Sequence, residues 1–149
     1  MKITRFEAFG LPDHIEILVT CAMARVQRFE DLIAWQKSRE LAAAAYRASR
    51  RGEFRKDFSL ARQVQRSATS IMSNIAEGFE RGGRGEFHQF LSTAKASCAE
   101  LRSELYLARD VGYLTEAEFQ DLISSAAEVA RILGGLRAAV ARQRRKPSP

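Results

Sequence analysis

Proline is nearly missing from this chain. Its three prolines are Pro12, Pro147 and Pro149, so residues 13–146 contain none. A run that long favours helices, because proline removes an amide donor and clashes inside a helix. Cysteine is equally sparse. Cys21 and Cys98 make no CxxC pair, which excludes a disulfide-stapled scaffold and fits a reducing compartment. The two histidines, His14 and His88, stand without a cysteine cluster, a poor basis for a zinc site. Neither has a glutamate three residues before it, since Leu11 and Gly85 occupy those positions. The Glu-x-x-His pairs of a di-iron bundle are therefore missing. There is no apolar run of roughly 20 residues to cross a membrane. Ile17-Leu18-Val19-Thr20-Cys21 comes nearest to a signal peptide, but Glu7, Asp13 and Glu16 spoil the stretch before it. A cytoplasmic protein with no cofactor, no metal and no membrane partner is expected.

What is present is enough for one domain with a hydrophobic core. The 149 residues are 46% hydrophobic and 28% charged, as in ordinary folded proteins. Residues 1–28 show mixed polarity, a Gly10-Leu11-Pro12-Asp13 turn signal and no sustained period. They read as an N-terminal extension, with Met23 as an alternative start, or as a short element covering the rest.

From Phe29 the pattern is helical. Asp31 is placed to cap a first helix running to about Arg51, with Leu32, Trp35, Ala42, Ala45, Tyr46 and Ser49 on one stripe. Gly52 then ends it. A second helix is predicted from about Asp57 to Phe79, on Leu60, Ala61, Val64, Ala68, Ile71, Ile75 and Phe79. The glycine-rich stretch from Glu80 to Gly85 breaks it. A third helix, about Glu86 to Val111, carries Phe87, Leu91, Ala94, Cys98, Leu101, Leu105 and Ala108 at alternating spacings of four and three. That is a heptad seam, and Phe90, Tyr106 and Leu107 widen it. Gly112 offers a left-handed stop, and Thr115 with Glu118 forms a capping box for a fourth helix. Its stripe is Phe119, Leu122, Ala126, Val129, Leu133, Leu136 and Val140. Gly134-Gly135 inside it signals either a close helix approach or a weak point.

Four amphipathic helices joined by short links predict an all-α protein, an antiparallel up-down-up-down four-helix bundle over residues 29–141. Residues 142–149 read as a basic disordered tail. The apolar faces are wider than one bundle core needs, so self-association is expected.

Charge is uneven. The net charge is +6; residues 29–66 carry +4, residues 67–136 carry −4 and residues 137–146 carry +5. Lys37, Arg47, Arg50, Arg51, Arg55, Lys56, Arg62 and Arg66 make up a candidate phosphate-binding set, and Arg62 and Arg66 share a helix face. Solvated helix faces plus a solubilising tail are the simpler explanation of the charges alone.

No constellation of nucleophile, base and metal ligands emerges, so a non-enzymatic role is expected. Gly82-Gly83-Arg84-Gly85 follows no strand and precedes no Gly-Lys-Ser/Thr, so it fails both nucleotide-binding fingerprints. Glu86 and His88, two apart, point in different directions. Cys98 lies on the heptad seam and reads as a buried small hydrophobe.

Three segments carry a signature. They are Phe29-Glu30-Asp31-Leu32-Ile33-Ala34-Trp35-Gln36-Lys37; Gln63-Val64-Gln65-Arg66-Ser67-Ala68 leading into Ser70-Ile71-Met72-Ser73-Asn74-Ile75-Ala76-Glu77-Gly78; and Glu86-Phe87-His88-Gln89-Phe90-Leu91 with Glu100-Leu101. Together, over about residues 29–140, they resemble the four-helix-bundle family of 23S ribosomal RNA intervening-sequence proteins. The chain is also similar to the accessory variability proteins of diversity-generating retroelements, basic pentamers that bind nucleic acid and a reverse transcriptase. The resemblance implies a bacterial homopentamer and brings no catalytic residues. Met72 and Phe54-Arg55 depart from the family pattern, which has proline before Ser73-Asn74 and Phe-Pro in the first loop.

Trp35, Ser73, Asn74, Glu77 and Gly78 form the motif core, expected to be structural. Asn74 and Glu77 could bond the Trp35 indole, Lys37 or a neighbouring subunit. The expected function is binding of RNA, DNA or a ribonucleoprotein through the basic surface of an oligomer. The alternative is a protein–protein interaction scaffold.

Overall fold

The computed structural model describes residues 26–145. The expectations for the extension, Met23, Cys21 and residues 146–149 lie outside that range. Among the described residues there are four α-helices and no strand: α1 (Ile33–Ser49), α2 (Phe58–Glu80), α3 (Arg84–Asp110) and α4 (Glu116–Arg145).

The helices pack in a ring, α1 on α2, α2 on α3, α3 on α4 and α4 back on α1. Their directions follow from pairs of touching residues. Along α2 and α3, Ser70 meets Ser97 and Ser67 meets Glu104, so one helix descends as the other climbs. Along α3 and α4, Cys98 meets Ala126 and Ser92 meets Arg137. Along α1 and α4, Lys37 meets Glu128 and Arg51 meets Glu118. All three pairs are antiparallel, which leaves α1 antiparallel to α2 as well. This is the up-down-up-down bundle.

The predicted seams of α3 and α4 are buried at every position, from Phe87 to Ala108 and from Phe119 to Val140. Val64, Ala68, Ile71 and Ile75 of α2 are fully buried and Phe79 packs partly exposed against them. Each large aliphatic chain so buried gives about 1.5–3 kcal/mol of transfer free energy. The α1 stripe needs correction. Trp35 and Tyr46 are half-buried, while Ala34, Ser38 and Leu41 go inside. Ser38 is tolerated there because its hydroxyl donates to the Ala34 carbonyl at 2.6 Å.

The helix ends show where local signals yield. Asp31 does not cap α1. Residues 29–31 close into a 3-10 turn through Asp31 N to Arg28 O and Leu32 N to Phe29 O, and buried Leu32 becomes the flanking residue. At the other end α1 stops at Ser49, two residues early, before Gly52 at φ +51°. The break before α3 is shorter than expected. Helix resumes at Arg84, with Phe87 N bonded to Gly83 O at 2.8 Å. Arg81 ties this turn together by pairing with both Glu77 and Glu86.

Asp57 caps α2 through Leu60 N at 3.0 Å, and Gly112 takes φ +83°. The Thr115–Glu118 capping box is present in both directions: Thr115 N to Glu118 Oε2 at 2.9 Å, and Glu118 N to Thr115 Oγ1 at 3.2 Å. Helix α4 then runs unbroken through Gly134 and Gly135 to Arg145. It therefore takes in Arg142, Gln143, Arg144 and Arg145, assigned above to a disordered tail. Contact with α3 extends along it, since Arg84 donates to the Gln143 carbonyl at 3.0 Å.

Candidate nucleic-acid interface

The eight candidate cations do not form one patch. Lys37, in the second turn of α1, lies 13 residues before Arg50, a separation of about 20 Å along the helix. Its ammonium faces Glu40 at 3.6 Å and Glu128 at 3.7 Å. Arg51 donates to Glu118 Oε1 at 2.9 Å, so it serves the carboxylate that caps α4. Glu118 is held below the usual carboxylate range, first by the Thr115 backbone N–H, with Arg51 adding to it. Lys56 pairs with Glu53 at 2.7 Å. Arg50 lies over the Tyr46 ring, 5.2 Å from its centroid. Arg47 borders a groove between α1 and α4 that also holds Glu118 and Asp121, a mixed surface unsuited to a polyanion.

Arg55, in the Phe54–Lys56 turn, is exposed with no ion pair among the described residues; Arg62 and Arg66 are the two that share a groove. Both are exposed on the outer face of α2 and neither is ion-paired among the described residues. They line a shallow groove with Phe58, Ser59 and Gln63. Phe58, Arg62 and Arg66 fall at successive four-residue steps, hence on one line of the helix. The acids that precede them in sequence are engaged elsewhere. Asp57 accepts from Leu60 N and from the Tyr113 hydroxyl at 3.1 Å, and that hydrogen bond pushes the Tyr113 phenol up. Glu53 holds Lys56. Phe58, Ser59 and Gln63 were not among the candidates. Phe58 does carry a signal, since it falls out of phase with the buried stripe and in phase with the arginines.

The motif residues occupy another part of the molecule, and among the described residues neither Asn74 nor Glu77 bonds the Trp35 indole or Lys37. Asn74 donates to the Ser70 carbonyl at 2.8 Å and the Ser70 hydroxyl at 3.0 Å, and Ser70 meets Ser97 of α3 at 2.9 Å. Glu77 pairs with Arg81 at 2.8 Å. Trp35 packs edge-on against Phe29, with Arg39 over its ring. Asn74 and Glu77 thus bond within α2 and its cap, and among the described residues are linked to α3 only through Ser70 and Arg81. Ser73 is exposed. Gly78 is buried where α2 crosses α3, and a β-carbon there would lie 2.5 Å from Phe90 Cβ. Gly134, by contrast, would meet only the Lys95 ammonium, at 3.9 Å. The close helix approach belongs to Gly78.

Other reactive groups are placed inward. The Cys98 thiol is buried and bonded to the Ala126 carbonyl, and burial pushes its pKa up. Glu104 is half-buried on α3, takes a 2.6 Å hydrogen bond from Ser67, and is pushed up by its burial. Among the described residues, no group of three or more His, Cys, Asp or Glu side chains is disposed to hold a metal ion. No described helix is long and apolar enough to cross a membrane.

A family model described as 23S rRNA-intervening sequence protein matches residues 30–135. Among solved structures, the chain is similar to a crystal structure of a protein of unknown function from the S23 ribosomal protein family of Bacteroides thetaiotaomicron. The two are 26% identical, the match covers 68% of this chain and 94% of that one, and the TM-score is 0.62. No curated protein matches the chain.

Proposed function

The chain belongs to the 23S rRNA-intervening sequence protein family, and on that premise we propose that it is a non-catalytic, oligomeric protein that binds nucleic acid through α2. One observation carries this reading: the Arg62–Arg66 groove keeps two guanidinium groups clear of carboxylates while most neighbouring cations are paired or stacked. Arginine's planar fork suits phosphate oxygens. The non-catalytic part is supported by where the nucleophiles are. Cys98 is sealed, and Ser67, Ser70 and Ser97 are engaged in hydrogen bonds between helices. Exposed Tyr106, Leu107 and Val111 near the end of α3 support self-association. A cytoplasmic location is part of the same reading, in keeping with the free Cys98 thiol.

The test is a salt titration of binding to RNA and DNA, with mass in solution measured before and after nuclease. Affinity should fall steeply as salt rises. Reversing both charges, Arg62→Glu with Arg66→Glu, should weaken binding and flatten the salt slope by about two. Salt-independent binding, or none at low salt, refutes the reading.

A further inference from the structure

Resting on that reading, we propose that the ligand of the groove is a single-stranded nucleic acid, with one unpaired base stacked on the Phe58 ring. Phe58 is 74% exposed, more than Ile33, Leu107, Val111 or Tyr106. It is the first residue of α2, and the Asp57 cap, tied to Leu60 N and the Tyr113 hydroxyl, holds that helix end in place. The ring is thus presented to solvent from an anchored helix end.

Its neighbours complete the site. Arg62 and Arg66 follow at steps of about 6 Å along the helix axis, so two guanidinium groups can engage neighbouring phosphates of one strand beside the ring. Ser59 and Gln63 line the same groove and supply a hydroxyl and an amide for sugar or base edges. Aromatic platforms flanked by cations hold unpaired bases because every base has a π-face. A duplex keeps those faces stacked inside and offers this surface only phosphates. It would use the arginines and leave Phe58 without a partner.

The experiment uses the full chain at low salt with three probes: an oligouridylate strand, an oligothymidylate strand of equal length, and a duplex of that length. Both single strands should bind more tightly than the duplex. Phe58→Ala should weaken single-strand binding about ten-fold and leave duplex binding unchanged, and Phe58→Tyr should restore it. Helical content should not change, because the ring is exposed. A preference for uridylate or thymidylate strands identifies RNA or DNA as the source and supports the proposal either way. If Phe58→Ala has no effect, or weakens duplex binding equally, the stacking proposal fails. The groove reading then survives, provided the double arginine reversal still abolishes binding. If Phe58→Ala lowers the mass in solution, the ring packs on another copy of the chain and the proposal fails. If no probe binds, both readings fail.

Discussion

Gly78 of α2 and Phe90 of α3 approach so closely that any β-carbon on Gly78 would stand 2.5 Å from Phe90 Cβ, and 3.1 Å from the ring of Phe87. Real β-carbons do not pack at such a distance, so α2 and α3 can cross here only because one side chain is a hydrogen atom.

Gly78→Ala should therefore force the helices apart and destabilise the protein by about 1–3 kcal/mol, read as a lower denaturant midpoint. Gly134→Ala meets only the end of Lys95. It should gain helix propensity and stabilise by up to about 1 kcal/mol. Equal effects at the two sites would contradict the assigned crossing.

Glu104 titrates above the usual carboxylate range because burial disfavours its charge, with Glu100 adding repulsion and the Ser67 hydrogen bond opposing both. The stability tied to its neutral form is present below the unfolded pKa and lost as pH rises through the folded one. Glu104→Gln keeps an acceptor for Ser67 and removes the charge. It should raise the melting temperature at pH 7 and have no effect in acid, with solvent screening keeping the gain below about 1 kcal/mol.

Glu118 has the opposite sign. Its folded pKa is depressed, so its contribution is present above the unfolded pKa and lost as pH falls through the folded one. Glu118→Gln should flatten the loss of stability on acidification. Thr115→Ala removes the other half of the box and should cost about 1 kcal/mol at neutral pH.

Asn74 and Glu77 should separate in a stability assay. The half-buried Asn74 amide joins Ser70, and through it Ser97, whereas the Glu77–Arg81 pair is about half exposed. Asn74→Ala should cost about 1–3 kcal/mol and Glu77→Ala less than about 1 kcal/mol. The reverse order would show that the motif is not organised around the α2–α3 seam.

Helices α3 and α4 are readable from spacing because one side of each faces the core along its whole length, so the buried residues repeat without interruption. The Asp57 cap, the Gly112 stop and the Thr115–Glu118 box are readable because both partners lie within a few residues. Asp31 misled because the burial of Leu32 outweighs a local cap. Helix α4 outruns the expected bundle end because Arg84, nearly sixty residues earlier, meets its last turns. The same limit applied to the surface. Arg51 and Lys37 read as free cations, since Glu118 and Glu128 reach them only after folding. Arg62 and Arg66 share a helix face by spacing alone. Phe58 joins their line because α2 begins at it.

The sealed Cys98 thiol gives the molecule a built-in clock. Its sulfur lies between α3 and α4 and has no exposed surface, so an alkylating reagent reaches it only when those helices part. In a Cys21→Ser variant, the rate of labelling would count those openings directly. Added oligonucleotide should slow it only if a ligand on α2 tightens the bundle as a whole.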